Sequence, residues 1–152
     1  GGEKERMERV REIDEHMTIS TASSKNREAS LLQGSCMLRA YGAAFMGEES
    51  GNFCKAYKKL SLRSKAQPGA NAAVVWGVVT GLLGVGDKEA TEGYVYTIVR
   101  DVVSAAVRMN IIGPLEGSAV IREVMKDVNK VIESGVVEGG TVEWRKSRGY
   151  GR

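Results

Sequence analysis

Little in this 152-residue sequence is suited to covalent or metal chemistry: it holds one histidine and two cysteines. Cys36 and Cys54 fall in different expected helices, with neither a CxxC pair nor a disulfide framework, and that usage fits a reducing, cytoplasmic setting. Both cysteines read as small buried hydrophobes. His16, beside Asp14 and Glu15 on a charged helix, reads as a solvent-facing side chain rather than a ligand. The glycine-rich run 81–86 (GLLGVG) lacks the Gly-Lys-Ser/Thr of a phosphate loop, and no strand precedes it. No catalytic residue and no metal ligand is expected, and the chain is not expected to be an enzyme.

Long apolar runs are also missing. The most apolar stretch, 70–85, is interrupted by Asn71 and Thr80 and is short for a bilayer span, so it reads as a buried core helix. The charged first segment does not read as a secretory signal. The only prolines, Pro68 and Pro114, stand at expected helix boundaries, where the ring is tolerated. Acids are absent between Gly51 and Gly86, whereas Lys55, Lys58, Lys59, Arg63 and Lys65 all fall there. Together with the basic tail at Arg145, Lys146, Arg148 and Arg152, this keeps one alternative open: a helical adaptor or nucleic-acid-associated module.

What is present is helical periodicity. Hydrophobic residues at 42% and charged residues at 27% are enough for a globular domain with a core. The expected fold is all-α, a single-domain bundle of about six helices over residues 1–135, followed by a flexible, basic, glycine-rich tail over 136–152. Glu3–His16 is charged and weakly amphipathic, with Val10, Ile13 and Met17 on one side, and a polar loop follows it. Arg27–Met46 is expected to be capped by Asn26, and its small residues Gly34, Ser35, Ala43 and Ala44 predict close approach by a neighbour. The third helix begins at Asn52 and buries Phe53, Ala56, Tyr57 and Leu60, leaving Lys55, Lys58 and Lys59 outside. Asn71–Leu83 is apolar all round and should be central, with Gly77 and Gly81 permitting tight backbone contact. A fifth helix runs from Asp87 to about Ile111, and a sixth, Pro114–Glu133, is strongly amphipathic.

The fifth helix carries the feature with most consequence. Tyr96, Arg100, Ser104 and Arg108 drift only about 40° per step at 100° per residue, forming a polar stripe on an otherwise buried-looking helix. Charges set into apolar surroundings need partner groups, so the stripe predicts a contact across a helical seam. Arg100 and Asp101 diverge by about 100° and are not expected to be each other's main partner.

The same residues carry a family resemblance. Residues 100–110 (RDVVSAAVRMN), followed by Gly113-Pro114-Leu115, resemble the C-terminal half of the urease accessory protein UreF family, particularly its eukaryotic members. Asn26–Leu38 (NREASLLQGSCML) is similar to that family's REAS-x-x-x-G-x-x-(L/M) helix, and 66–83 resembles its apolar helix with an aromatic-glycine pair, here Trp76-Gly77. The three matches stand in family order over roughly Asn26 to Glu133. The resemblance implies an all-α, dimeric, cytoplasmic protein that is not an enzyme. It would bridge a scaffold protein (UreD, also called UreH) and the GTPase UreG, in a complex that delivers nickel to apo-urease. Neither nucleic acid nor membrane is an expected partner on this reading. Nickel is handled by the complex, and no cofactor is assigned to this chain.

Two departures bear on that expectation. The family's N-terminal glycine-rich, aromatic, histidine-bearing segment has no counterpart, so the domain is expected to be N-terminally incomplete. Near Asn71 the chain has neither the histidine nor the proline of many members. The expected partner-binding residues are Arg100, Asp101, Ser104, Arg108, Gly113, Pro114 and Leu115.

Overall fold

The computed structural model describes residues 2–63 and 69–134. They form six helices: α1 (Glu3–Ser20), α2 (Ser24–Ala44), α3 (Glu49–Arg63), α4 (Ala72–Leu82), α5 (Asp87–Arg108) and α6 (Pro114–Glu133). No strand occurs among the described residues, and no helix there is long and apolar enough to cross a membrane. The fold is all-α, as expected. Lys65, Pro68 and the basic tail 136–152 lie outside the described residues.

The helices fall into two compact units, Gly1–Gly86 and Asp87–Arg152. In the first, α2 lies along both α3 and α4, and α4 also touches α1 and α3. The apolar α4 is therefore central to this unit. Leu38, Cys54, Tyr57, Ala70, Val75 and Val79 make the core, with Met7, Val10, Met37, Tyr41, Val78 and Leu82 packed against it. The second unit is a hairpin of α5 and α6, and a 3.7 Å ion pair between Lys88, at the start of α5, and Glu133, at the end of α6, shows its antiparallel sense.

Several local expectations are corrected. The first helix runs on to Ser20, and the next is capped by Ser23, whose Oγ accepts the Asn26 N–H at 3.3 Å. A hydroxyl three residues earlier reaches the free N–H, so Asn26 itself lies inside the first turn. The third helix begins at Glu49, not Asn52. The buried residues of α1 are Asp14 and Thr18, while Ile13 and Met17 are exposed, so its inward side is Met7–Val10–Asp14–Thr18. Cys54 is buried but Cys36 is exposed. Gly77 and Gly81 have nothing within 4 Å of where a side chain would begin, so they make no tight helix contact.

The close approach belongs to Gly34 instead. A β-carbon there would collide with the Ala70 carbonyl oxygen and stand 3.0 Å from the Ala72 nitrogen. Two helix ends use positive φ. Gly84, at φ 73°, closes α4 with the Val85 N–H bonded to the Thr80 carbonyl, and Asn110, at φ 55°, closes α5 with the Ile111 N–H bonded to Ala106.

Candidate partner-binding surface

The chemistry of the first unit converges on Asp14, which is 2% exposed. Its Oδ2 accepts the Tyr57 hydroxyl at 2.5 Å and the Ala70 N–H; its Oδ1 accepts the Asn71 N–H at 2.9 Å and the Asn71 side-chain amide at 2.6 Å. The Asn71 amide also donates to Thr18 Oγ1 at 2.7 Å, and Ser30 Oγ accepts the Ala72 N–H at 3.1 Å. Thus α4 is capped by other helices, with a carboxylate of α1 and a hydroxyl of α2 at its positive end. Asn71, the N-cap by position, makes no side-chain cap of its own.

Burial, then the hydrogen bond to Asp14 and then its charge push the Tyr57 phenol far above the usual tyrosine range. A cavity of about 20 Å³, enough for one water, adjoins Asp14, Tyr57, Ser61 and Gly69. The cluster joins all four helices of this unit. Sequence reading missed it, although Asp14 and Thr18 continue the side of α1 that carries Met7 and Val10, and that placement was the available signal.

Every residue expected at a partner surface lies in the second unit. Gly117 seats α6 on α5, because a β-carbon there would meet Val103 Cγ1 at 2.9 Å and Val107 Cγ2 at 3.1 Å. Val103 is the buried residue of α5, and Gly117 and Ile132 are those of α6. The picture of a buried helix with a polar stripe is therefore corrected. Val102 is 65% exposed, Met109 70%, and Leu115, on the first turn of α6, 89%.

Ile98, Val102, Ala105 and Met109 follow a 4-3-4 spacing, a continuous apolar stripe that α6 leaves largely uncovered. Val120, Val124 and Val131 are likewise exposed on α6. Counted round each helix at 100° per residue, the two stripes lie on the same side of the antiparallel pair. The opposite side is a groove of about 550 Å³ lined by residues that include Glu92, Tyr96, Arg122, Met125 and Asn129.

Arg100 does not reach across a seam. Its Nε and Nη2 donate to Asp101 Oδ1 at 3.1 and 2.8 Å, in an exposed pair. The sequence-based exclusion of that pairing is corrected, because the long guanidinium arm bends round the 100° between adjacent positions. Ser104 is half-buried, and Arg108 is exposed in the last turn beside Met109. Gly113, in extended conformation, and Pro114, at the start of α6, form the exposed turn that presents Leu115. The structure thus gathers Arg108, Gly113, Pro114 and Leu115 about one end of the hairpin. Arg100 and Asp101 sit about two turns away along α5.

A sequence profile described as UreF matches residues 2–125. The chain belongs to the UreF family. It is 31% identical over 121 residues to the urease accessory protein F of Arabidopsis thaliana, covering 80% of this chain and 49% of that one. Against the protein of the same name from Oryza sativa subsp. indica, identity is 29% over 121 residues, with 80% and 45% covered. A fungal relative, urease accessory protein 6 of Cryptococcus neoformans var. grubii, is 27% identical over 147 residues, with 84% and 46% covered. The chain spans about half the length of these curated relatives. No solved structure matches.

Membership in UreF gives the matched segments a physical reading. In residues 27–34, Arg27 donates to the Thr21 carbonyl at 2.8 Å, Ser30 caps α4, and Gly34 admits the Ala70 carbonyl. That stretch is architectural. Among the described residues, no three His, Cys, Asp or Glu side chains come together as a metal site. His16 is exposed, with the Ser20 hydroxyl 3.4 Å from its Nδ1.

Proposed function

We propose that this chain serves urease maturation as a non-enzymatic accessory protein, part of a complex that loads nickel into apo-urease. Its partners on this reading are a UreD/UreH-type scaffold protein and a UreG-type GTPase, with a second copy of the chain completing a cytoplasmic homodimer. Nickel is the cargo of that complex rather than a cofactor of this chain. The relatives' names, urease accessory protein F and urease accessory protein 6, support the urease connection. One observation supports a docking role: the α5–α6 hairpin leaves Met109, Ile111 and Leu115 exposed at the end that carries Arg108, with Ile98 and Val102 exposed further along α5. Large apolar side chains exposed beside a cation have the composition of an interface centre.

In the bound state Leu115 would fill a pocket, while Arg108 donates charge-assisted hydrogen bonds to a carboxylate or carbonyl of the partner. Desolvated anchors of this kind contribute about 2 kcal/mol or more each. Arg108→Ala and Leu115→Ala should each lower recovery of the complex with the scaffold protein and GTPase by more than ten-fold, with helicity retained. Truncation of Arg122, exposed on α6 and bonded to Glu123, serves as the comparison and should leave recovery unchanged. Unaltered recovery for both test variants would remove this surface from the assembly.

A further inference from the structure

Among the described residues, the arginines of α1 and the cations of α6 are ion-paired, whereas no cation of α3 is. On α1, Arg6, Arg9 and Arg11 each have an acidic partner; on α6, Arg122, Lys126 and Lys130 do. On α3, Lys55, Lys59 and Arg63 are exposed, Lys58 is half-buried, and none forms an ion pair among the described residues. The sequence places no acid between Gly51 and Gly86, so the chain offers these groups no acidic neighbour on their own helix beyond Glu49.

Lys55, Lys59 and Arg63 recur every fourth residue, with successive β-carbons about 5–6 Å apart on one face. Leu62 lies on the same face and is 70% exposed. The face is also held in place. The opposite side of α3 buries Phe53, Cys54, Tyr57 and Ser61, and the stem of Lys55 lies over α2, its Cγ 3.3 Å from the β-position of Gly42. A stem already packed loses less freedom when its ammonium group binds.

We infer that the outer face of α3, Lys55–Lys59–Leu62–Arg63, is a docking surface for an acidic protein helix whose carboxylates repeat every fourth residue around an apolar anchor. The charge demands an anionic occupant, and two features favour protein over nucleic acid. From Lys55 to Arg63 the stripe is only about 12 Å long, too short for the six to ten phosphate contacts on which strong backbone binding rests. The face also presents Leu62 and no aromatic ring, so it has an anchor for a protein side chain and no platform for a base. This surface lies in the first unit, belongs to none of the residues assigned above, and does not depend on them.

The test uses the whole chain and a helical alanine-based peptide with glutamates at i, i+4 and i+8 and a leucine beside them. A second peptide of equal composition has the glutamates scattered around the helix. The aligned peptide should bind at least ten-fold more tightly than the scattered one, and more weakly as salt is raised. Lys55→Glu, Lys59→Glu and Arg63→Glu combined should abolish that preference. The neutral set Lys55→Gln, Lys59→Gln and Arg63→Gln should do the same with less risk to folding, checked by helicity. Reversal of Lys4 and Lys25 together, on other helices, should leave it intact. Equal binding of the two peptides, absence of binding, or equal loss in the Lys4/Lys25 variant would overturn the inference. So would tighter binding to a short DNA duplex than to the aligned peptide.

Discussion

Asp14 is a buried carboxylate satisfied by neutral donors: a phenol, two backbone N–H groups and an amide. Burial of an anion is costly, and here the compensation comes from four hydrogen bonds and the positive end of α4. Asp14→Ala would leave the Tyr57 hydroxyl and the Ala70 and Asn71 backbone N–H groups without their acceptor in the interior, at a cost of about 3–5 kcal/mol, measurable by denaturant unfolding. Tyr57→Phe removes one bond to a charged acceptor and should cost about 1.5–3 kcal/mol. The phenol also gives a pH signature. Its folded pKa is raised above the unfolded value of about 10, so the folded state holds the proton more tightly. This contribution is complete below about pH 10 and declines as pH rises beyond it. Unfolding midpoints taken on either side of pH 10 should fall more steeply for the native protein than for Tyr57→Phe. Nothing in one dimension separates Asp14 from Glu12 and Glu15 except its place on the inward side of α1, which the exposed Ile13 and Met17 disguise.

At the level of elements, glycines divide by what faces them. Helix identity was legible because periodicity needs only local information: all six helices were anticipated, with ends misplaced by a few residues where caps are set by side-chain geometry. Which glycine receives a neighbour was not legible, because that depends on packing between elements distant in sequence. Gly34 meets backbone, whereas Gly77 and Gly81 meet nothing within 4 Å. Gly34→Ala should therefore destabilise by about 3 kcal/mol, since neither α2 nor the Ala70 peptide can yield cheaply. Gly77→Ala and Gly81→Ala should each stabilise the free chain by about 1 kcal/mol through helix propensity. Thermal melts of the three variants should move in these opposite directions. A loss of stability in the α4 pair would mean that another surface covers that face in the free protein.

Across the whole molecule the two units differ in how much each can bury. The first closes a core of Leu38, Tyr57, Val75 and Val79 beneath four helices and fastens it with the Asp14 cluster. The described residues of the second form two helices, and two helices pressed together bury one stripe of each; Val103, Gly117 and Ile132 are what the contact hides. The sequence showed the apolar character of α5 but not that it stays uncovered, because hydrophobic periodicity marks a face that needs burial without naming what buries it. Local stability follows buried contact, so amide exchange in the free protein should be slowest in α2 and α4 and markedly faster in α5 and α6. Addition of the scaffold protein should then slow exchange along α5 from Ile98 to Met109 and at the start of α6, while α2 and α4 change little. Equal protection of both units before addition, or no gain at α5 afterwards, would mean that the exposed stripe is not where assembly stabilises this chain.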